Sequence, residues 1–108
     1  MKRGDFVIAA ERGRLTGKPR PWLVVQSDAF NDHHASITLA LVTSGTADFP
    51  YFRVAVLPRP DNGLAEPSII QVDKLATVSR DNIARVIGNA SEAELAEVDD
   101  ALKRWLDL

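Results

Sequence analysis

Arg20 stands where a basic, glycine-containing stretch meets an apolar run, Arg20-Pro21-Trp22-Leu23-Val24-Val25. A guanidinium stays charged at any ordinary pH and can grip a phosphate through two parallel N–H groups. At the mouth of a buried strand its backbone would be fixed while its side chain reached out. The same residue could equally close a surface ion pair. Thr43 and Ser44 end a second apolar run, and their hydroxyls can donate to phosphate oxygens. They can also end a strand through a local hydroxyl–backbone turn. Asp73 lies beside strand-forming residues, with Lys74 or Arg20 as a structural partner if it has no chemical role. His33 and His34 are adjacent in a polar loop. Such pairs are usually exposed and inert, and a nucleic-acid contact is the alternative. Trp22 belongs to the apolar run and is expected to be buried. Phe49 and Tyr51 flank Pro50 in a loop and are better placed to stack on bases. No cluster of His, Asp and Glu has the spacing of a metal site. Cysteine is absent, which excludes disulfides and thiolate metal sites.

Bulk properties bound the rest. A chain of 108 residues is enough for one domain, expected to span 1–108, and such a domain buries only a moderate fraction of its surface. Its 45% apolar content is ordinary for a globular protein. The N-terminal Met-Lys-Arg-Gly-Asp is not followed by an apolar run of signal-peptide length. No stretch approaches the roughly 20 apolar residues of a membrane span. The expectation is a soluble, cytoplasmic protein. Net charge is −2, which by itself argues against a nucleic-acid binder. The distribution points the other way. Lys2, Arg3, Arg12, Arg14, Lys18 and Arg20 crowd the start, while Glu92, Glu94, Glu97, Asp99, Asp100 and Asp107 crowd the end. A local basic surface can bind phosphate on a net acidic protein, although both clusters could also be merely solvated faces.

The elements that must position these side chains are mostly short strands. Strands are expected at 5–10, 22–26, 36–42, 52–57, 68–72 and 85–87, with a further short one at 77–78. The 22–26 run is apolar on both faces, which implies burial on both. Thr43 to Pro50 and Pro58 to Pro67 read as turn-rich loops. Ser27 can cap one helical turn, and Ser79 to Asn82 resembles another. Ser91 and Glu94 form a capping-box signature. Leu95, Val98, Leu102 and Trp105 then recur at helical spacing, predicting one amphipathic helix over about 92–105. Short strands followed by one helix make a mainly β barrel with a helix laid on it.

Several segments, in order, resemble the MazF/PemK family of toxins. They are Arg3-Gly4-Asp5 before an apolar strand, the Arg20-Pro21 strand with its basic loop, and Gln26-Ser27-Asp28-Ala29-Phe30-Asn31. Leu41-Val42-Thr43-Ser44 and Ile69-Ile70-Gln71-Val72-Asp73-Lys74-Leu75 complete the set. The resemblance covers nearly the whole chain. It implies an SH3-like β-barrel of the kind shared by MazF and CcdB, with a C-terminal helix. It also implies a homodimer, a cognate antitoxin, and sequence-specific cleavage of single-stranded RNA without metal or other cofactor. The implied reaction is attack of the ribose 2′-OH on its own phosphate, giving a cyclic phosphate and a 5′-OH. Such chemistry needs a base, an acid and groups that steady the phosphate charge.

By this resemblance Arg20, Thr43 and Asp73 are the catalytic candidates; in one branch of the family the Asp matching Asp73 is proposed as the base, and which residue is base and which acid stays open. Arg12, Arg14, Lys18, Ser44, Phe49, Tyr51 and Gln71 are the RNA-binding candidates. The sequence departs from the family where some relatives carry a Glu or His before the Arg-Pro pair. Here Arg14-Leu15-Thr16-Gly17-Lys18-Pro19 has neither. Where one branch has an Arg two residues before the Asp, this chain has Gln71. Leu39, Leu41, Leu57 and the Leu64–Ala65 pair are the apolar side chains expected to be shared across a dimer. An alternative is a gyrase-binding, non-enzymatic toxin similar to CcdB, for which Trp105 near the chain end is a superficial fit. A non-catalytic RNA-binding module on the same barrel finds no positive feature.

Overall fold

The computed structural model describes residues 1–10, 18–46 and 49–108. Arg12 and Arg14 lie outside the described residues. In chain order the elements are β1 (Asp5–Ala9), β2 (Arg20–Val24), α1 (Asp28–Asn31), β3 (Ser36–Ser44), β4 (Arg53–Val56), β5 (Ser68–Ser79), a 3₁₀ turn (Arg80–Asn82), β6 (Ile83–Asn89) and α2 (Glu92–Leu106). The strands form one antiparallel sheet in the order β4-β5-β3-β2-β1-β6. The mainly β class and the C-terminal helix are as expected. A closed barrel is not: among the described residues no ladder joins β4 to β6, so the sheet stays open.

Successive side chains of a strand point to opposite faces, and here both faces are covered. Phe6, Leu23, Ala40, Val42, Val54, Val56 and Ile70 form one buried cluster, closed by Val98 and Ala101 of α2. Val7, Trp22, Val24, Ile37, Leu39 and Val78 form the other. This is why β2 lacks a polar alternation. Leu39 and Leu64 are thus buried within this chain, and Leu41 packs against the second cluster. Of the side chains expected at a dimer contact, Leu57 is the large one left exposed.

Two boundaries differ from expectation, both near the site. Thr43 and Ser44 are paired with Ile69 and Ser68 as the end of β3, and are not part of the following loop. Residues 68–72 and 77–78 belong to one long strand. Its register on β3 passes from Ala40–Leu75 to Leu41–Gln71, leaving Val72, Asp73 and Lys74 as a bulge. Bulges bend a strand and re-aim its side chains. The helix matches its signals. Ser91 accepts from the Glu94 backbone N–H while the Glu94 carboxylate accepts from that of Ser91. Leu95, Val98 and Leu102 face the core. Among the described residues no helix is long and apolar enough to cross a membrane.

Candidate functional site

Trp22 pairs with Leu41 across β2 and β3. The β2–β3 ladder ends at that pair, and Arg20 and Thr43 each lie two residues beyond it on their strands. Both residues line a cleft of about 430 Å³, together with Ser44, Glu66, Ser68 and the Gly63–Ala65 backbone. The Trp22 indole N–H donates to the Ala9 carbonyl over 3.1 Å, and Ala9 is the cross-strand partner of Arg20. The backbone under Arg20 is therefore tied to β1 while the side chain is exposed. Among the described residues Arg20 has no hydrogen-bond or ion-pair partner. The other arginines near the fold's seams are engaged. Arg3 meets Asp99 at 2.7 Å, Arg59 grips Glu94 at 2.6 and 2.9 Å, and Arg53 meets Asp73 at 3.0 Å. A guanidinium without a side-chain partner, in a cleft that hydroxyl-bearing residues also line, suits an anion.

The remaining sequence candidates fall into three groups. Ser44 lines the cleft, and Lys18 is exposed just before β2. Phe49 and Tyr51 are exposed at 52% and 72%. Phe49 stacks on Phe52 at 5.7 Å with the Arg53 guanidinium 5.6 Å from its centroid, so part of its surface is already used. Gln71, an RNA-binding candidate by resemblance, is largely buried, at 8% exposure. Its side-chain N–H donates to Thr43 Oγ1 over 2.9 Å. It is not among the residues that line the cleft.

Asp73 also sits apart from the cleft lining. The bulge turns its carboxylate onto Arg53, which donates to both oxygens at 3.3 and 3.0 Å. Burial pushes its carboxyl up, but the hydrogen bonds and charge of Arg53 outweigh this and hold it below the usual carboxylate value. A carboxylate so stabilised is a weaker proton acceptor.

Sequence reading missed Glu66. It comes from the proline-rich loop and is the carboxylate lining the cleft among the described residues. That loop is built around Asn62, whose Oδ1 accepts from the Arg59 and Leu64 backbone N–H groups at 3.1 Å each. Gly63 and Gly88 then bring the loop and β6 into backbone contact. No local motif announces that path. His33 and His34 lie exposed beside α1 and do not line the cleft. Among the described residues no set of His, Asp and Glu converges as metal ligands.

With this geometry in view, comparison with known proteins decides the family. A family model described as PemK-like, MazF-like toxin of type II toxin-antitoxin system matches residues 2–106. The chain belongs to the MazF/PemK family. It is 39% identical over 108 residues to "Probable endoribonuclease MazF" of Mycolicibacterium smegmatis, covering 100% of this chain and 98% of that one. It is 33% identical over 116 residues to "Endoribonuclease MazF9" of Mycobacterium tuberculosis, covering 100% and 98%. Among solved structures, a MazE–MazF complex from Deinococcus radiodurans superposes with a TM-score of 0.79 at 27% identity, covering 100% of this chain and 97% of that one. A mycobacterial endoribonuclease crystallised with its cognate antitoxin gives 0.82 at 24% identity, covering 100% and 96%, and shares the fold. For a MazF/PemK chain, the Arg20–Thr43 pair is where the family resemblance and the cleft coincide.

Proposed function

We propose that this chain is an endoribonuclease toxin that cuts single-stranded RNA in the cytoplasm and is neutralised by a cognate antitoxin. The observation that carries this reading is the convergence of Arg20, Thr43 and Ser44 on one cleft in a chain of the MazF/PemK family. Arg20 grips the scissile phosphate, and the Thr43 and Ser44 hydroxyls donate to its oxygens. These groups steady the negative charge on the phosphoryl oxygens during attack, the effect that typically dominates such catalysis. The 2′-oxygen adds to the adjacent phosphorus and loses its proton to a base. The 5′-oxygen leaves and gains a proton, so the products are a 2′,3′-cyclic phosphate and a 5′-OH. Glu66, in the cleft, takes the base role that the sequence suggested for Asp73, and Asp73 fixes Arg53. Lys18, Phe49 and Tyr51 contact the flanking nucleotides, together with Arg12 and Arg14. A homodimer places two such clefts in one particle, and no cofactor enters the scheme.

The test is incubation of purified protein with a long mixed-sequence RNA in EDTA. Cuts at a few sites are expected, with new 5′ ends that accept phosphate from a kinase without prior phosphatase treatment. Intact RNA together with inhibition of gyrase would instead establish the CcdB-like reading.

A further inference from the structure

Thr43 can serve the phosphate only if its proton points into the cleft, and something must keep it there. A threonine hydroxyl has one proton and two lone pairs and rotates to suit its neighbours. Gln71, from the adjacent strand β5, meets it as a donor over 2.9 Å. Because that approach occupies a lone pair of Oγ1, the hydroxyl proton cannot turn toward Gln71. Gln71 is itself nearly buried, in the strand that carries the bulge, so its amide has little freedom.

We infer that Gln71 is a positioning residue that sets the Thr43 hydroxyl as a donor toward the RNA phosphate. This rests on the functional reading above and deepens it. Gln71 touches no substrate in this scheme; it acts through Thr43. The charged groups around it are Arg53, its cross-strand partner on β4, Asp73 two residues along β5, and Arg20 beyond Thr43. Arg53 and Asp73 are bound to one another, which leaves the amide's polarity as the feature that orients the hydroxyl.

Reversing that polarity gives the experiment. In Gln71→Glu a protonated carboxyl can still donate to Thr43, whereas the carboxylate must accept and would draw the Thr43 proton away from the cleft. Cleavage would be followed on an oligoribonucleotide spanning a site the wild type cuts, as kcat and KM from pH 5 to pH 9. Relative to wild type, Gln71→Glu should lose about 100-fold in kcat at high pH, the scale of one lost transition-state donor. It should regain at least tenfold of that as pH falls, with KM within about twofold throughout. Gln71→Met, which keeps length and removes the donor, should lose about tenfold at all pH values, since a freely rotating hydroxyl still points correctly part of the time. In a Thr43→Val background neither change should have a further effect. A Gln71→Glu profile parallel to wild type, or equal losses in the Thr43→Val background, would overturn the assignment. If Gln71→Glu does not fold, wild-type kcat in Gln71→Met overturns it alone. A wild type that cuts no RNA at all would instead remove the nuclease reading, a result distinguishable from either.

Discussion

Among the described residues the Arg20 and Arg85 side chains have no hydrogen-bond or ion-pair partner, and of these two Arg20 is the one that lines the cleft. Arg53, Arg59 and Arg3 each satisfy a carboxylate that the fold has placed beside them, so their loss is a structural event. Arg20 is exposed and held only through its backbone. Arg20→Ala should therefore abolish most cleavage, by roughly 2–4 kcal/mol of barrier, with a melting temperature close to wild type. Arg20→Lys should restore only part of the rate, because a point charge lacks the two-pronged grip. Thr43→Val keeps shape and strand preference but leaves the buried Gln71 amide without its acceptor, so kcat should fall together with a stability loss of about 1–3 kcal/mol. Asp73→Asn should act mainly on stability. It weakens the pairing with Arg53 and should lower the melting temperature, while turnover at neutral pH stays within a few-fold of wild type. A large loss of turnover with unchanged melting in Asp73→Asn would return Asp73 to the base role.

At the scale of elements, the parts legible in the sequence are those whose signals are local. The α2 capping box, its apolar spacing, the Ser27 cap and the helical turn at 79–82 are local signals, and all four appear in the structure. Arg20 was legible for a similar reason, as a cation abutting an apolar run. What escaped was long-range. The β5 bulge decides that Asp73 turns to Arg53, and it depends on the register with β3, which no short window contains. The place of Glu66 depends on the Gly63–Gly88 contact between a loop and a distant strand. Gly63 has φ +69, and a Cβ there would meet the Ile87 carbonyl oxygen at 2.2 Å. Gly63→Ala thus combines a clash with backbone that cannot yield and a conformation costing about 1–3 kcal/mol for a non-glycine residue. It should lower melting temperature and cleavage together, since the same loop is the cleft wall. The loop is pinned to α2 by Arg59 and Glu94. Burial pushes the Glu94 carboxyl up, but Arg59 and the Ser91 backbone N–H pull it further down, so its folded pKa is depressed. The folded state then binds fewer protons than the unfolded one. The contribution is complete above the unfolded carboxylate pKa of about 4.3 and is lost as pH falls from there through the folded value. Melting temperature should hold from neutral pH to about 5 and then drop. Glu94→Gln should start lower and show a shallower acid drop, as followed by circular dichroism.

Over the whole molecule the charge is −2, yet an RNA-cutting protein must attract a polyanion. The two facts are compatible because charge is not spread evenly, and three arginines are bound to carboxylates within the fold. Arg3 lies against Asp99, Arg53 against Asp73, and Arg59 against Asp61 and Glu94. Attraction then depends on the cations without such partners, and those that touch phosphate can be counted through salt. Each phosphate contact made by a cation releases condensed counterions, so log K falls with log salt by about 0.7 per contact for a single strand. Binding of an uncleavable 2′-O-methyl oligonucleotide should be measured from 50 to 300 mM salt. Arg20→Ala should weaken binding and reduce the slope by about 0.7. Arg3→Gln removes the same formal charge but one already neutralised by Asp99. Its slope should match wild type, with any change in affinity small and independent of salt. Equal slope losses in the two variants would mean that RNA responds only to net charge, and the cleft would lose its claim to the phosphate. An acidic antitoxin segment competing for the same cleft should show the same ordering of the two variants. Salt-insensitive antitoxin binding would place its contact on the exposed apolar side chains instead, among them Leu57 and Trp105.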